Sequence, residues 1–250
     1  MNEDYLSEEE ERSPSKLIPI ALILLFLAGA CFGFLKSSFF LVDHIDILGC
    51  TTLAPEELRT VANYVKNTNI FDVDLVALAK RIETNPRVDK VLIKRRLPST
   101  LVLDVTERAA IAIMPYSGYY VLVDASGFAI GIAESYKEED PPLITGIRPQ
   151  QVLVGKRIDH KELDYALLVT SVLPLDVVRE VSEINFSDTT GISIYLQSGT
   201  WVALGLGTRN EYLTRLDVLN SLLHKLDKEN RHAAYIDVRF PKTPVVKDRH

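Results

Sequence analysis

Three short strings in this 250-residue chain carry the residue types of serine acyl transfer: Ser13-Pro14-Ser15-Lys16, Ser187-Asp188-Thr189 and Lys242-Thr243-Pro244. They echo the S-x-x-K, S-D-N and K-T-G set of β-lactam-binding enzymes, which need a serine nucleophile, a nearby lysine and further polar groups around one acyl carbon. Two of the three have the wrong last residue. The first string also precedes a long uncharged run that the other two follow, so if the run crosses a membrane the nucleophile and its partners face opposite compartments. The five histidines (His44, His160, His224, His232, His250) fall in no H-E-x-x-H or comparable spacing, so no metal site is expected. Gly205-Leu206-Gly207 precedes a helical pattern but lacks the third glycine and the β-α-β setting of a dinucleotide site. It reads as a turn, and no cofactor is expected. With no convergent catalytic set, the chain reads as a non-enzyme.

The elements that would have to position such groups begin with the uncharged run itself. From Leu17 to Leu35 there are 19 residues without a charge, and at roughly 1.5 Å per helical residue they reach across the hydrocarbon core of a bilayer. Pro19 falls in the first turn, where a missing N–H costs little. Arg12 and Lys16 stand before the run, and Lys36 is the only base after it until Arg59. That bias predicts a transmembrane helix with its N-terminus in the cytoplasm and the remainder outside. A cleaved signal peptide is the alternative, because Ala28-Gly29-Ala30 has the A-x-A form and Cys31 follows it. Against this, apolar residues continue past the cut, and position 28 is Ala where a lipobox usually has Leu. Residues 1–16 hold six acids and two bases, leaving 28 acids and 26 bases beyond them. That near-neutral remainder has no basic domain to neutralise phosphates, which argues against nucleic-acid binding. Cys50 has no second thiol on its own side of the membrane, so no disulfide framework is expected.

Past the membrane the hydrophobic period switches repeatedly. Val42, Ile45, Ile47 and Leu48 with Gly49 predict a short strand. Pro55, Glu56 and Glu57 open a helix whose Leu58, Val61, Ala62 and Val65 share a face, and Asp74 caps a second with Leu75, Leu78, Ala79 and Ile82 on one stripe. Val91, Ile93 and Leu97, then Leu101, Leu103 and Val105, predict two strands about a turn at Pro98-Ser99. Beyond residue 108, a hairpin is expected over 119–123 and 128–130, then a loop rich in Glu and Pro, a helix over 161–173 stopped by Pro174, and strands over 192–196 and 201–204. A long core-facing helix carries Tyr212, Leu216, Leu219, Leu223 and Leu226. Ile236, Val238 and Phe240 predict one closing strand.

The order β-α-α-β-β over residues 40–108 resembles the POTRA module, a small interaction domain found next to membranes. "VDHIDILGC" (42–50) and the stretch from Asn69 to Arg108 are similar to the POTRA segment of the FtsQ/DivIB family of bacterial cell-division proteins. The shared features are Asn-Ile-Phe-Asp, Asn85-Pro86-x-Val88, Arg96-Leu97-Pro98 and Glu107-Arg108. "YYVLVDASGFAI", "PPLITG" and "YIDVRF" resemble blocks of the β domain that follows in that family. The resemblance implies an α+β protein: an acidic cytoplasmic tail (1–16), one transmembrane helix (17–35), a POTRA domain (40–108), a β domain with a mainly antiparallel sheet (109–246) and a short tail (247–250).

By resemblance, the protein is a single-pass scaffold of the cell membrane, expected at the division septum, that binds FtsB/DivIC and FtsL outside the membrane. The matching partner-binding positions are Tyr235, Asp237, Arg239, Phe240, Lys242, Thr243 and Val245, where a partner strand would be added. Pro241 and Pro244 depart from an open strand edge, since neither donates a hydrogen bond. The alternative function is a POTRA-type polypeptide-binding chaperone in protein translocation.

Overall fold

The computed structural model of the protein describes residues 17–137 and 140–249. The expected acidic tail, with Ser13 and Lys16, lies outside the described residues.

The first helix, α1 (Leu17–Leu35), is apolar all round and exposed from Ile18 to Leu35, as a helix solvated by lipid is. A 3₁₀ turn (Ser38–Phe40) then leads into a compact unit of β1 (His44–Leu48), α2 (Pro55–Ala62), α3 (Leu75–Ile82), β2 (Val88–Arg96) and β3 (Thr100–Glu107). Strand order is β1-β3-β2, with β3 parallel to β1 and antiparallel to β2. A hairpin joins β2 to β3, whereas the parallel β1/β3 pair requires a crossover, which the two helices supply. Their apolar stripes, Leu58 and Ala62 on α2 and Leu78 and Ile82 on α3, are buried with Ile45, Val91, Leu101, Leu103 and Val105 of the sheet. Asp74 caps α3, its Oδ1 accepting from the N–H groups of Val76 and Ala77. The predicted helix through Val65 ends earlier: after Ala62 the chain tightens into a 3₁₀ turn (Asn63–Val65), and Asn67 enters the left-handed region at φ 61°. Gly49 (φ +84°) closes β1 where a Cβ would stand 2.1 Å from the carbonyl oxygen of Val105, so only glycine fits.

Arg108 and Ala109 lead directly into a nine-stranded sheet. Its strands are β4 (Ala110–Tyr116), β5 (Tyr119–Asp124), β6 (Ala129–Ala133), β7 (Leu143–Thr145), β8 (Val181–Ser187), β9 (Gly191–Leu196), β10 (Trp201–Gly205), β11 (Ala233–Asp237) and β12 (Val245–Asp248). They lie in the order β12-β11-β10-β9-β8-β7-β4-β5-β6. Pairing is antiparallel except at β4/β7, β7/β8 and β10/β11. The fold is therefore α+β with a mainly antiparallel sheet, as expected. Helices α4 (Lys161–Val172) and α6 (Arg209–Lys228), with the short α5 (Leu175–Val178) between β7 and β8, complete the domain. Leu163, Ala166 and Val169 of α4 and Tyr212, Leu216 and Leu219 of α6 share one core with Ile144, Ile184, Ile194, Val202 and Ile236. The heptad-like seam of α6 thus faces its own sheet, with Leu226 buried and Leu223 half-buried at its end. A capping box starts this helix, Thr208 and Glu211 exchanging hydrogen bonds.

Four elements lack a sequence signal. β4 is a continuous apolar run rather than an alternating one, β7 has three residues, α5 has four, and β8 breaks its alternation at Ser182-Glu183, where its register against β9 shifts. The stretch expected as one closing strand is two elements. β11 stops at Asp237, and the chain re-enters the sheet as β12, which runs to Asp248, two residues beyond the expected end of the domain at 246. Lys247 and Asp248 are therefore strand, not tail. Arg249 is tied in as well, its N–H bonding the carbonyl of His232 at 2.8 Å and its Nη1 the carbonyl of Ser198 at 2.8 Å.

Candidate interface at the C-terminal sheet edge

The residues singled out between 235 and 245 fall into three groups. Tyr235 and Asp237 sit on β11, which is paired on both sides, parallel to β10 and antiparallel to β12. Its backbone has no free edge, and the open edge at this end of the sheet belongs to β12, where Val245 lies. The cause is the turn at 238–244. Asp237 folds the chain over itself, its Oδ1 accepting from the N–H (3.0 Å) and Nε (3.0 Å) of Arg239 while its Oδ2 accepts from Arg239 Nη2 at 2.6 Å. Tyr235 Oη also donates to Asp237 Oδ2 at 3.0 Å. These bonds, those of Arg239 first, hold the Asp237 carboxyl below its usual range against the opposing effect of burial. Burial, then the neighbouring carboxylate, pushes the Tyr235 hydroxyl up. The Tyr235 ring also lies 4.9 Å from that of Trp201. Tyr235, Asp237 and Arg239 therefore form a closed network.

Phe240, Lys242 and Thr243 belong to the turn. Thr243 donates its N–H to the carbonyl of Phe240 at 2.9 Å, and Lys242 and Thr243 point to solvent. Pro241 and Pro244 sit in the connection and not in the ladder, so they leave the register of β12 intact. Phe240 is 69% exposed and Val245 56% exposed, two large apolar side chains at the start of an edge strand. Sequence reasoning missed the clamp that orders this edge. Arg231 reaches Asp248 at 2.8 Å and Glu229 at 2.6 Å, holding the far end of β12 against the segment between α6 and β11. The 17-residue separation of Arg231 and Asp248 carries no local pattern that would have revealed it.

The Glu107-Arg108 pair is a junction. Both carboxylate oxygens of Glu107 accept from the loop before α2: the N–H groups of Thr51 (2.7 Å) and Leu53 (2.9 Å) bond Oε1, and the Thr52 hydroxyl bonds Oε2 at 2.6 Å. Burial opposes the charge, but these bonds together outweigh it and hold the carboxyl at about 2. Arg108 spans the two units. Its Nε bonds the carbonyl of Val88 and its Nη2 lies 3.0 Å from Asp89 on β2, while its Nη1 meets Asp124 of β5 at 2.6 Å. Its guanidinium also stacks over Phe128, 4.1 Å from the ring centre.

Among the described residues, the second and third acyl-transfer strings are not brought together. Ser187 Oγ pairs with Thr189 Oγ1 in the β8/β9 hairpin, and Lys242 lies in the β11/β12 turn, with β9, β10 and β11 between the strands concerned. Among the described residues no three His, Cys, Asp or Glu side chains are grouped as metal ligands. A cavity of about 400 Å³ is lined by titratable side chains that include Asp176, Glu180, His224, Asp227, Arg231 and His232. There His224 Nε2 stands 3.8 Å from Asp176 Oδ2, with both side chains exposed.

Comparison with known proteins matches residues 40–108 to the POTRA domain, FtsQ-type, and residues 112–239 to Cell division protein FtsQ/DivIB, C-terminal. The chain is 30% identical to Cell division protein FtsQ of Syntrophotalea carbinolica over 234 residues, covering 91% of this chain and 82% of that one. It is 27% identical to Cell division protein FtsQ of Streptomyces venezuelae, over 89% of this chain and 80% of that one. With Cell division protein DivIB of Clostridium acetobutylicum it shares 23% identity over 84% of each chain.

Proposed function

This chain belongs to the FtsQ/DivIB family of cell division proteins, and from that premise we propose that it is a non-enzymatic, single-pass membrane scaffold of the division septum. It keeps its N-terminus in the cytoplasm and binds FtsB/DivIC and FtsL outside the membrane through β12 and the β11/β12 turn. The observation that carries the reading is the edge itself: β12 ends the nine-stranded sheet, and Phe240 and Val245 stand exposed beside it. An incoming strand satisfies the outward N–H and C=O groups, and pockets for alternate side chains supply selectivity. Lys242 and Thr243, at the tip of the turn, flank its path.

Neighbouring residues of an antiparallel strand direct their backbone groups to opposite sides. Of Val245→Pro and Val246→Pro, one therefore disrupts the ladder to β11 and the other only the outer edge. Capture of the FtsB/DivIC and FtsL counterparts by the full chain in lipid nanodiscs should be lost with the edge-facing proline and weakened by Phe240→Ala, with melting nearly unchanged in both. Full capture by these two variants would move the site away from β12. For orientation, Cys50 is a slow reporter, because it is half-buried and its thiol is pushed up by burial and by the Glu107 carboxylate. Lys80→Cys, on the exposed face of α3, in a chain with Cys31 and Cys50 changed to Ser, should react with an impermeant maleimide from outside the cell.

A further inference from the structure

The Asn-Ile-Phe-Asp run is not spent on the POTRA core alone. Asn69 is 8% exposed, and its Nδ2 donates to the carbonyl of Leu35, the last residue of α1, at 2.7 Å. Helix C-termini leave such carbonyls without partners, and here a side chain 34 residues away supplies the donor. The same Asn69 accepts the N–H of Phe71 through Oδ1 at 3.0 Å. Asp72 receives Lys36 Nζ at 2.6 and 2.7 Å, so the first charge after the apolar helix is neutralised by the same loop. Residues 69–72 thus clasp the end of α1, and the POTRA domain is held to the helix by direct bonds.

The clasp fixes the depth of an aromatic cluster. Phe34, in the last turn of α1, lies 5.2 Å from Phe40, which lies 5.2 Å from Phe71; Phe39 packs on Phe40 at 5.1 Å. Phe40 is buried, but Phe39 and Phe71 are 58% and 41% exposed, and Val76 in the first turn of α3 is also exposed. We infer that Phe39 and Phe71 insert into the membrane at the boundary of headgroups and acyl chains, so that the POTRA domain rests on the lipid surface with this edge immersed. The inference rests on the reading of α1 as the membrane span. A 19-residue helix places Leu35 at the hydrocarbon boundary, and the bonds to Asn69 and Asp72 bring the patch to the same level. Aromatic side chains at that depth gain apolar surroundings without losing a hydrogen bond, and the Lys36–Asp72 pair leaves the patch without net charge from either. The occupant is thus the phospholipid bilayer that α1 crosses, continuous with the lipid around Phe34.

The test uses the full chain in phosphatidylcholine vesicles, with Cys31 and Cys50 changed to Ser and an environment-sensitive fluorophore on Phe39→Cys or Phe71→Cys. Both positions are partly exposed, so the POTRA core stays filled. Expected are quenching by lipid carrying a shallow nitroxide, a blue-shifted emission and loss of iodide quenching at both, against free iodide quenching at Tyr119→Cys. Asn69→Ala should return the Phe71 probe to iodide. Iodide access at both Phe positions equal to that at Tyr119 would overturn the proposal, as would a Phe71 probe unmoved by Asn69→Ala. A probe at Phe26→Cys, in the middle of α1, separates the two failures. Quenching at 26 by lipid carrying a mid-chain nitroxide, without quenching at 39 and 71 by the shallow one, sinks the insertion alone, and its absence at 26 sinks the membrane reading with it.

Discussion

At residues 107–108 two charged side chains are engaged at both carboxylate oxygens and at all three guanidinium nitrogens, whereas at residues 240–245 two large apolar side chains and a strand edge are left to solvent. Glu107 closes β3 and Val245 opens β12, and both regions carry residues of the shared family pattern. The first is closed: its partners lie in the loop before α2, in β2 and in β5, so it joins the POTRA sheet to the larger sheet. The second is open: Tyr235, Asp237 and Arg239 bond one another, and the apolar surface beside them stays exposed among the described residues. A motif that satisfies itself internally serves architecture, and one that orders its polar groups while exposing apolar ones suits the association proposed for it above.

The comparison breaks most decisively at Arg108. Arg108→Ala leaves the buried Asp124 without its ion pair and should cost roughly 3–5 kcal/mol. Denaturant unfolding measures this, and a loss below about 1 kcal/mol would show that the junction is not closed to water. Leu78→Ala, at a fully buried core position, should cost about 2–5 kcal/mol, and Lys80→Ala, exposed on the same helix, no more than about 0.5 kcal/mol. Equal unfolding midpoints would mean that α3 presents another face to the sheet.

Glu107→Gln comes next, at about 1–2 kcal/mol at neutral pH, since a neutral amide accepts the loop N–H groups less strongly. Its sharper signature is in the pH dependence. The folded protein holds this carboxyl at about 2 against an ordinary 4.5, so as pH falls below 4.5 the unfolded chain takes up the proton first. The stabilisation is complete above 4.5 and fades as pH approaches 2. Glu107→Gln should flatten that part of the stability profile, and an unchanged slope would assign it to other carboxylates. Phe240→Ala should have the smallest effect on folding, within about 0.5 kcal/mol, because the side chain is mostly in solvent. A large drop in melting temperature would mean that the turn is structural, and the contrast with residues 107–108 would disappear.

Legibility in the sequence follows the same division. The apolar run of α1, the stripes of α2, α3 and α6, the Asp74 cap and the β2/β3 hairpin are local patterns, because helix period, capping and tight turns involve residues at most a few positions apart. They sufficed for the β-α-α-β-β order of residues 40–108, while the α+β class of the whole chain was what the family resemblance implied. The stretch expected as one closing strand divides in two: with Ile236, Val238 and Phe240 alternating, nothing local signalled that Asp237 would fold the chain back and let Val245 to Asp248 form the outer strand. β4, β7 and β8 escaped for a related reason. A short strand inside a wide sheet is specified by the neighbours that cover it, not by its own alternation.

What the amino-acid order determined unaided was thus the set of elements with strong local signals and their succession along the chain. Which strand became the edge, why Glu107 reaches a loop 54 to 56 residues earlier, and how Asn69 came to cap a helix ending at Leu35 were decided only on folding. Such contacts draw their stability from partners far apart in the chain, brought together by burial of the two cores, and no window of sequence contains both halves of the pair.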